Sequence, residues 1–207
     1  SPQIEILYYN IKFQFEVTKL LKWKELYNEC LNCNKCSLKY SSNNMVFGDG
    51  NPRSKIMFIG EAPGADEDRL GKPFVGRAGQ LLTKGLTTLD LIRERDYYIC
   101  NICKCRPENN RTPREEEAEA CLPYLRNQTA LIKPKVIVCL GSTAMKYILG
   151  ADWRITRDRG KWVERKGCYI MATFHPAALF RDESKKVLFW EDLKSVKGEL
   201  DELKKDS

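Results

Sequence analysis

One stretch of the chain decides its fold: KIMFIGEAPG, Lys55 to Gly64. Its first residues, Lys55–Ile59, form an almost continuous apolar run, which is typical of a strand buried on both faces of a parallel sheet. A tight turn that contains two glycines follows at once. Three further short runs rich in Ile, Val, Tyr or Cys have the same character: Tyr97–Asn101, Lys135–Leu140 and Cys168–Thr173. The sequence therefore predicts four buried strands.

The segments between these strands are long enough for helices that cross over the sheet. We expect such helices in Ala78–Leu91, Arg114–Ile132 and Ser142–Leu149, and a last helix in Lys185–Leu203. Apolar strands that alternate with helices are typical of a parallel sheet covered on both faces. The predicted fold is therefore a three-layer α/β/α domain with a central four-stranded parallel sheet.

The N-terminal part of the chain has a different character. Residues 1–17 alternate apolar and polar side chains, like an edge strand or like an appended extension. From Lys19 to Cys30 the apolar residues recur at helical spacing and predict a helix. We expect an N-terminal extension over residues 1–18, without an assigned role, and a single domain over residues 19–207.

Composition narrows the class of protein. The 207 residues include 35 Lys and Arg against 28 Asp and Glu, a formal net charge of +7, and 43% are hydrophobic. No stretch approaches the roughly 18 consecutive apolar residues of a membrane span, and no signal-peptide pattern begins the chain. We therefore expect a soluble, intracellular protein without a membrane partner. The positive charge is compatible with a polyanionic partner, although lysines that only aid solubility produce the same excess.

Unusual polar residues follow each predicted strand. The first strand ends in the turn Gly60–Gly64, the second in Asn101, the third in Gly141 and Ser142, and the fourth in His175. Ligands of open parallel sheets bind at the carboxyl ends of the strands. These groups are therefore expected to face one crevice.

Two candidate site residues, His175 and Phe74, can also be interpreted as residues without a function in binding or catalysis. His175 is the only histidine, and Pro176 restricts its backbone so that the imidazole can donate a hydrogen bond to a developing anion. A buried or surface histidine without a function is the alternative. Phe74 lies in a loop rich in glycine and carboxylates, where it is either a stacking platform in a pocket or a core side chain.

The cysteines favour metal binding over disulfides, because an intracellular chain keeps its thiols reduced. Cys33 and Cys36 form a Cys-x-x-Cys pair that can chelate a metal centre, and two distant thiolates would complete a zinc site or a four-iron cluster. Cys105 and Cys121 lie outside the predicted strands and can return to the pair. The other cysteines compete for this role, but three of them fall inside predicted strands and are expected to be buried: Cys100, Cys139 and Cys168.

Six segments together resemble the family 4 uracil-DNA glycosylases, thermostable iron–sulfur enzymes of archaea and bacteria. The matching segments are GEAPGADED, GKPFVGRAGQLL, YYICNICKCRPENNRTPREEE, ACLPYL, VIVCLGSTA and TFHPAALFR. With the cysteine pair they extend from Cys33 to about Trp190, in the family's order and spacing. A joint match of this extent is far more specific than any single motif.

The resemblance implies a role for each matching residue. Cys33, Cys36, Cys105 and Cys121 would bind a 4Fe-4S cluster, and Cys30 is left without an assignment. The implied catalytic residues are Glu61, Asn101 and His175, and the implied uracil-binding residues are these three with Gly60, Ala62 and Phe74. The pocket would be supported by Pro63, Gly64, Glu67, Asn110, Gly141 and Ser142. DNA would be contacted by Arg77, Leu179 and Arg181, with Leu179 as a wedge in the base stack or, alternatively, as a core leucine.

The implied function is DNA repair: the enzyme flips uracil out of single- or double-stranded DNA and hydrolyses its N-glycosidic bond, releasing free uracil. Such an enzyme is expected to act as a cytoplasmic, nucleoid-associated monomer. The group that positions the attacking water stays open, because Ala62 replaces the aspartate of family 1. Glu61 is a candidate, while Glu67 and Asn110 would organise the loop or exclude the thymine methyl group. The alternatives are an electron carrier on a flavodoxin-like sheet and a zinc-containing nucleic-acid binder.

Overall fold

The four predicted strands form the centre of one mixed sheet. The computed structural model describes residues 20–205, in which the strands are β1 (Asp49–Gly50), β2 (Ile56–Gly60), β3 (Tyr97–Asn101), β4 (Val136–Leu140), β5 (Val163–Arg165) and β6 (Cys168–Thr173). Their order is β1-β3-β2-β4-β6-β5. The four central strands are parallel, with Gly60 opposite Asn101 and Leu140 opposite Thr173. The predicted parallel sheet and its strand positions are confirmed.

Two short antiparallel strands correct the prediction of a four-stranded sheet to six strands. β1 pairs with β3 at one edge, and β5 pairs with β6 at the other. β1 has only two residues, and no residue of β5 is fully buried. Neither strand therefore has the continuous apolar run on which the prediction depended.

The long predicted helices are confirmed, with ends shifted by a few residues. The helices are α1 (Trp23–Leu31), α2 (Leu38–Ser41), α3 (Ala65–Leu70), α4 (Arg77–Thr88), α5 (Arg93–Asp96), α6 (Glu115–Ile132), α7 (Ser142–Leu149), α8 (Ile155–Asp158) and α9 (Lys185–Lys205). Two 3₁₀ turns cover Glu108–Asn110 and Pro176–Phe180. The short helices α2, α3, α5 and α8 were not predicted, because they are too short to show a helical period.

Alternating strand residues divide the core into two halves. Met57 and Ile59 of β2 lie in a cluster with side chains of α6 and α7, whereas Ile56 and Phe58 lie in a second cluster with side chains of α4 and α9. Successive side chains of a strand point to opposite faces of the sheet. The two clusters are therefore the two sides of a three-layer structure.

The N-terminal part of the described chain packs outside these layers. Helix α1 contacts α6, and a third cluster joins Leu26 and Cys30 of α1 to Phe47 and Tyr124. The predicted extension over residues 1–18 lies outside the described residues, and the single-domain boundary stays a prediction. No helix within residues 20–205 has the length and apolar character to cross a membrane.

Candidate active site and cysteine cavity

A cavity of about 810 Å³ lies at the carboxyl ends of β2, β3, β4 and β6. It brings together most of the residues singled out from the sequence: Glu61, Ala62, Pro63, Gly64, Glu67, Phe74, Arg77, Asn101, Asn110, Gly141, Ser142, His175 and Arg181. Gly60 lies beneath it. A Cβ atom at Gly60 would be 2.5 Å from Asn101 Oδ1 and 2.5 Å from Phe74 Cζ, so any larger residue would displace both groups.

Asn101 presents an unpaired acceptor. Its side chain is 1% exposed, and no donor within residues 20–205 makes a hydrogen bond to its Oδ1 atom. A buried polar atom without a partner costs about 1 to 3 kcal/mol. Such an atom at the end of a rigid strand, beside an aromatic ring, is suited to a ligand that donates a hydrogen bond.

Phe74 is held in an unusual backbone conformation. Its φ of 52° lies in the left-handed region, which a bulky residue rarely adopts. Arg93 donates to the carbonyl oxygens of Pro73 at 2.8 Å and of Phe74 at 2.9 Å. At Gly79, a Cβ atom would be 2.1 Å from the carbonyl group of Phe74, so helix α4 leaves room for this loop only because it has a glycine there. These contacts fix the Phe74 ring, whose centroid is 5.7 Å from that of His175.

His175 has a defined proton position. Its Nδ1 atom accepts a hydrogen bond from the main-chain N–H of Ala177 at 3.1 Å, so the neutral imidazole carries its proton on Nε2. Burial lowers the pKa of His175 to about 4; Glu67 opposes this effect and Arg181 adds to it. His175 is therefore a neutral hydrogen-bond donor near pH 7.

The two carboxylates of the cavity are held differently. Glu67 accepts hydrogen bonds from the main-chain N–H groups of Val75 at 2.9 Å and Gly76 at 2.7 Å, contacts that match a role in organising the Phe74 loop. Glu61 accepts one hydrogen bond from the Thr143 hydroxyl. The carboxylate of Glu61 has further lone pairs with which it can accept hydrogen bonds.

Four basic side chains and an exposed aromatic ring lie at the cavity, and Arg111 and Lys185 among them are paired with Glu117 and Asp182. Arg77, Arg111, Arg181 and Lys185 line the opening. The guanidinium carbon of Arg77 is 4.0 Å from the ring centroid of Phe180, a cation–π contact. Phe180 is 37% exposed.

Leu179 lies in the core of this structure. It is 1% exposed and belongs to the core cluster that includes α4 and α9. This burial favours the core-leucine alternative, and a contact of Leu179 with DNA stays a prediction. The sequence pattern could not separate Leu179 from Phe180, because adjacent apolar residues in a 3₁₀ turn differ only in the side to which each one points.

A second cavity collects six cysteines: Cys30, Cys33, Cys36, Cys103, Cys105 and Cys121. The four cysteines predicted as ligands are thus brought together from the turn after α1, the segment after β3 and helix α6. Cys30 and Cys103 join them, although the sequence offered no assignment for either. Cys100, Cys139 and Cys168 are buried in strands, as expected.

The thiols of this cavity lie in an apolar environment that disfavours their charged form. Burial raises the pKa of Cys36 and Cys105, and it raises the pKa of Cys121 to about 12. Within residues 20–205, no three ligating side chains are close enough to bind a single metal ion. Iron–sulfur clusters are held by cysteine thiolates, so the residue type of this cavity fits such a group.

Comparison with known proteins identifies the family. The model of the uracil-DNA glycosylase superfamily matches residues 47–194. The type-4 uracil-DNA glycosylase of Archaeoglobus fulgidus is 44% identical over 184 residues, which are 85% of this chain and 92% of that protein. The chain belongs to the type-4 uracil-DNA glycosylases.

Two further type-4 enzymes are similar over comparable lengths. The one from Thermotoga maritima is 44% identical over 170 residues, 80% of this chain and 88% of the relative. The one from Sulfurisphaera tokodaii is 41% identical over 182 residues, 84% of this chain and 83% of the relative. Family membership confirms the resemblance seen in the sequence motifs, while the role of each residue stays a prediction.

Sequence reasoning missed several residues that shape the two cavities. Arg93 lies outside the quoted motifs and holds the main chain of Phe74. Thr143 and Lys104 lie inside them, but no role was assigned to either residue. Only the fold places these side chains against the site. The exposed position of Phe180 likewise depends on the fold.

Proposed function

We propose that this protein is a DNA repair glycosylase that takes a flipped uracil into the cavity and hydrolyses its bond to deoxyribose. The observation that supports this most strongly is the buried, unpaired Oδ1 of Asn101 next to the Phe74 ring. Uracil has an N3–H donor for this oxygen, an O4 acceptor for the amide N–H group, and a flat face for the ring. Cytosine reverses both polar requirements and would leave buried groups unpaired.

His175 and the turn after β2 would stabilise the leaving group. As the C1′–N1 bond breaks, its electron pair leaves with the base, and negative charge collects on uracil O2. The Nε2–H of His175 can donate to that oxygen, as can main-chain N–H groups of the Gly60–Gly64 turn. A neutral donor already oriented in the free enzyme stabilises this charge without rearrangement, an effect of about 2.7 to 4 kcal/mol for comparable donors.

The water oxygen forms the new bond to C1′ and releases its proton. Among the two cavity carboxylates, Glu61 is the better candidate to orient this water, because Glu67 already accepts two main-chain hydrogen bonds. The base takes up a proton from solvent and departs as free uracil. Since all these groups come from one chain, a monomer would be sufficient.

DNA would lie across the rim of the cavity. Arg77, Arg181 and Lys185 are placed to contact phosphates, and Phe180 can enter the gap that the flipped base leaves. In this proposal Phe180, and not Leu179, is the wedge that enters the base stack. Action on single-stranded DNA should depend less on Phe180, because no base stack must be opened.

A 4Fe-4S cluster would occupy the cysteine cavity, with Cys33, Cys36, Cys105 and Cys121 as its ligands. When bound, such a cluster supplies a cross-link between distant segments and the capacity to carry one electron. The thiols join the N-terminal segment to the loop after β3, so cluster binding should stabilise the fold.

A single-turnover assay tests the proposed function. The purified protein is mixed in excess with oligonucleotides that contain one uracil, and free uracil is measured by chromatography. The expected result is uracil release from single- and double-stranded DNA and none from matched oligonucleotides with cytosine or thymine. Tight binding of uracil-containing DNA without release would contradict the proposal and favour a non-catalytic DNA binder.

A further inference from the structure

Lys104 lies between the two cavities with its charge buried. Its side chain is 2% exposed, and its Nζ donates to the main-chain oxygen of Asn101 at 2.8 Å and to Gln128 Oε1 at 2.7 Å. Both acceptors are neutral. Lys104 forms no salt bridge within residues 20–205, and Glu117, the carboxylate that lines the same cavity, is paired with Arg111. A buried cation is costly unless a negative charge lies nearby.

The cysteine cavity can supply that negative charge. Lys104 lines the cavity, and its main-chain N–H donates to Cys121 Sγ at 3.3 Å. Four thiolates on a metal cluster would give the ammonium group the partner that it lacks among neutral thiols.

Lys104 also contacts strand β3, which carries the proposed base-reading residue Asn101. Asn101 is the last residue of β3, and its carbonyl oxygen is the atom that Lys104 holds. Gln128 secures the ammonium group from the opposite side, because its own Nε2 donates to Phe47 O at 2.9 Å and to Tyr98 Oη at 3.2 Å. Lys104, which lines the cysteine cavity, thereby holds the main chain of Asn101.

We propose that Lys104 is a positioning residue that couples the two cavities: its ammonium group offsets the charge of the occupied cysteine cavity and fixes the main chain of Asn101. The proposal rests on the proposed function for the role of Asn101. A lysine that only fills space would be replaced by methionine, of similar length, without consequence for either cavity.

The reduction potential of the bound cluster tests whether the positive charge of Lys104 acts on the cysteine cavity. A buried cation favours the more negative, reduced state of a cluster, so Lys104→Met and Lys104→Gln should both shift the potential to more negative values. Lys35→Met is the matched control, because Lys35 lines the same cavity but is exposed and screened by water. It should leave the potential unchanged. If Lys104→Met does not fold, Lys104→Gln decides, since it retains a polar side chain.

A double-mutant cycle tests whether Lys104 positions Asn101. Lys104→Met should lower single-turnover uracil release roughly tenfold to a hundredfold, the loss expected when a reading group moves by about 1 Å. In an Asn101→Ala background the same change should have little further effect, because the group that it positions is absent. Lys104→Gln, which can still donate to the Asn101 carbonyl, should retain more activity than Lys104→Met.

Two results would overturn the proposal. One is a wild-type potential in Lys104→Gln with full iron content, and the other is an equal loss of rate from Lys104→Met with and without Asn101. The first result does not depend on the proposed function. The second requires measurable uracil release, and its absence in the wild-type chain would reveal a failure of the proposed function separately.

Discussion

The base pocket and the cysteine cavity are built in opposite ways. The base pocket is formed at the ends of strands in a rigid parallel sheet, and its groups are fixed by protein contacts: Phe74 by Arg93, His175 by Ala177 and Glu61 by Thr143. The cysteine cavity is formed by segments outside the sheet. Burial raises the pKa of five of its six thiols, and Cys121 Sγ accepts a main-chain hydrogen bond from Lys104. The groups of the base pocket are thus held by protein contacts, whereas we expect the thiols to be held mainly by the group that they bind.

This difference predicts how each site responds to damage. Loss of a group in the base pocket should remove catalysis and leave the fold intact, since the sheet holds the remaining groups. Loss of a cysteine should weaken the fold and affect catalysis only indirectly. The following predictions test this separation.

The largest expected effect is that of His175→Ala on base release. Because the Nε2–H of His175 would stabilise charge that develops only in the transition state, single-turnover release should fall by roughly two to three orders of magnitude, with little change in binding of uracil-containing DNA. Iron content and thermal stability should stay near the wild-type values. Release at the wild-type rate would leave the turn after β2 as the main source of stabilisation.

Cys33→Ala should affect stability far more than base release. Removing one ligand should lower the iron content and, if the cluster acts like a cross-link, decrease the free energy of unfolding by about 2 to 5 kcal/mol. For a chain of this size that is a fall in Tm of roughly 4 to 20 °C. Cys168→Ala is the control for loss of a thiol elsewhere. Unchanged iron per chain in Cys33→Ala would show that another thiol, first of all Cys30, is the ligand.

The pH dependence of stability should reveal the half-buried His175. Burial lowers its pKa from 6.5 to about 4 in the folded state, so between these values the unfolded chain binds a proton that the folded chain does not. Its contribution is fully present above pH 6.5 and is lost as the pH falls towards 4, by on the order of a few kcal/mol. Denaturant unfolding of wild type and His175→Gln checks this. Parallel pH profiles for the two proteins would contradict the burial of a neutral imidazole.

The smallest effect is expected at the rim, where two adjacent residues should behave differently. Phe180→Ala should reduce release from double-stranded DNA by about tenfold, with a smaller loss on single-stranded DNA and little loss of stability. Leu179→Ala should instead destabilise the fold by about 2 to 5 kcal/mol and affect both substrates alike. The reverse pattern would restore Leu179 as the residue that enters the base stack.

The parts of the fold with a strong local pattern could be predicted from the sequence. The four central strands are buried on both faces, so their apolar runs are unbroken, and the residues that follow them had to meet at one edge of the sheet. The strand β1 has two residues and forms only because Asp49 and Gly50 lie beside β3, a pairing that no local pattern reveals.

The candidate site could likewise be predicted from the sequence only in part. Asn101 and His175 were found because each lies at a strand end, and Phe74 because it lies in a distinctive glycine-rich loop. The contacts that define their chemistry were not visible in the sequence. The left-handed φ of Phe74 and the unpaired oxygen of Asn101 depend on neighbours distant in sequence, and the proton position on His175 depends on the local turn that brings Ala177 N–H to Nδ1. The sequence also could not show that Leu179 is buried and Phe180 exposed, because packing against other elements decides this.

The most direct test of the central claim compares two amides of the same cavity. Asn101 Oδ1 is free to accept from a base, whereas Asn110 Oδ1 already accepts from Arg106 Nε at 2.8 Å. Single-turnover release is measured for wild type, Asn101→Ala and Asn110→Ala on matched DNA with uracil or cytosine. We predict that Asn101→Ala loses most of its rate and of its preference for uracil-containing DNA, with Asn110→Ala much less affected. Wild-type rate and preference in Asn101→Ala would contradict the claim that this amide reads the base.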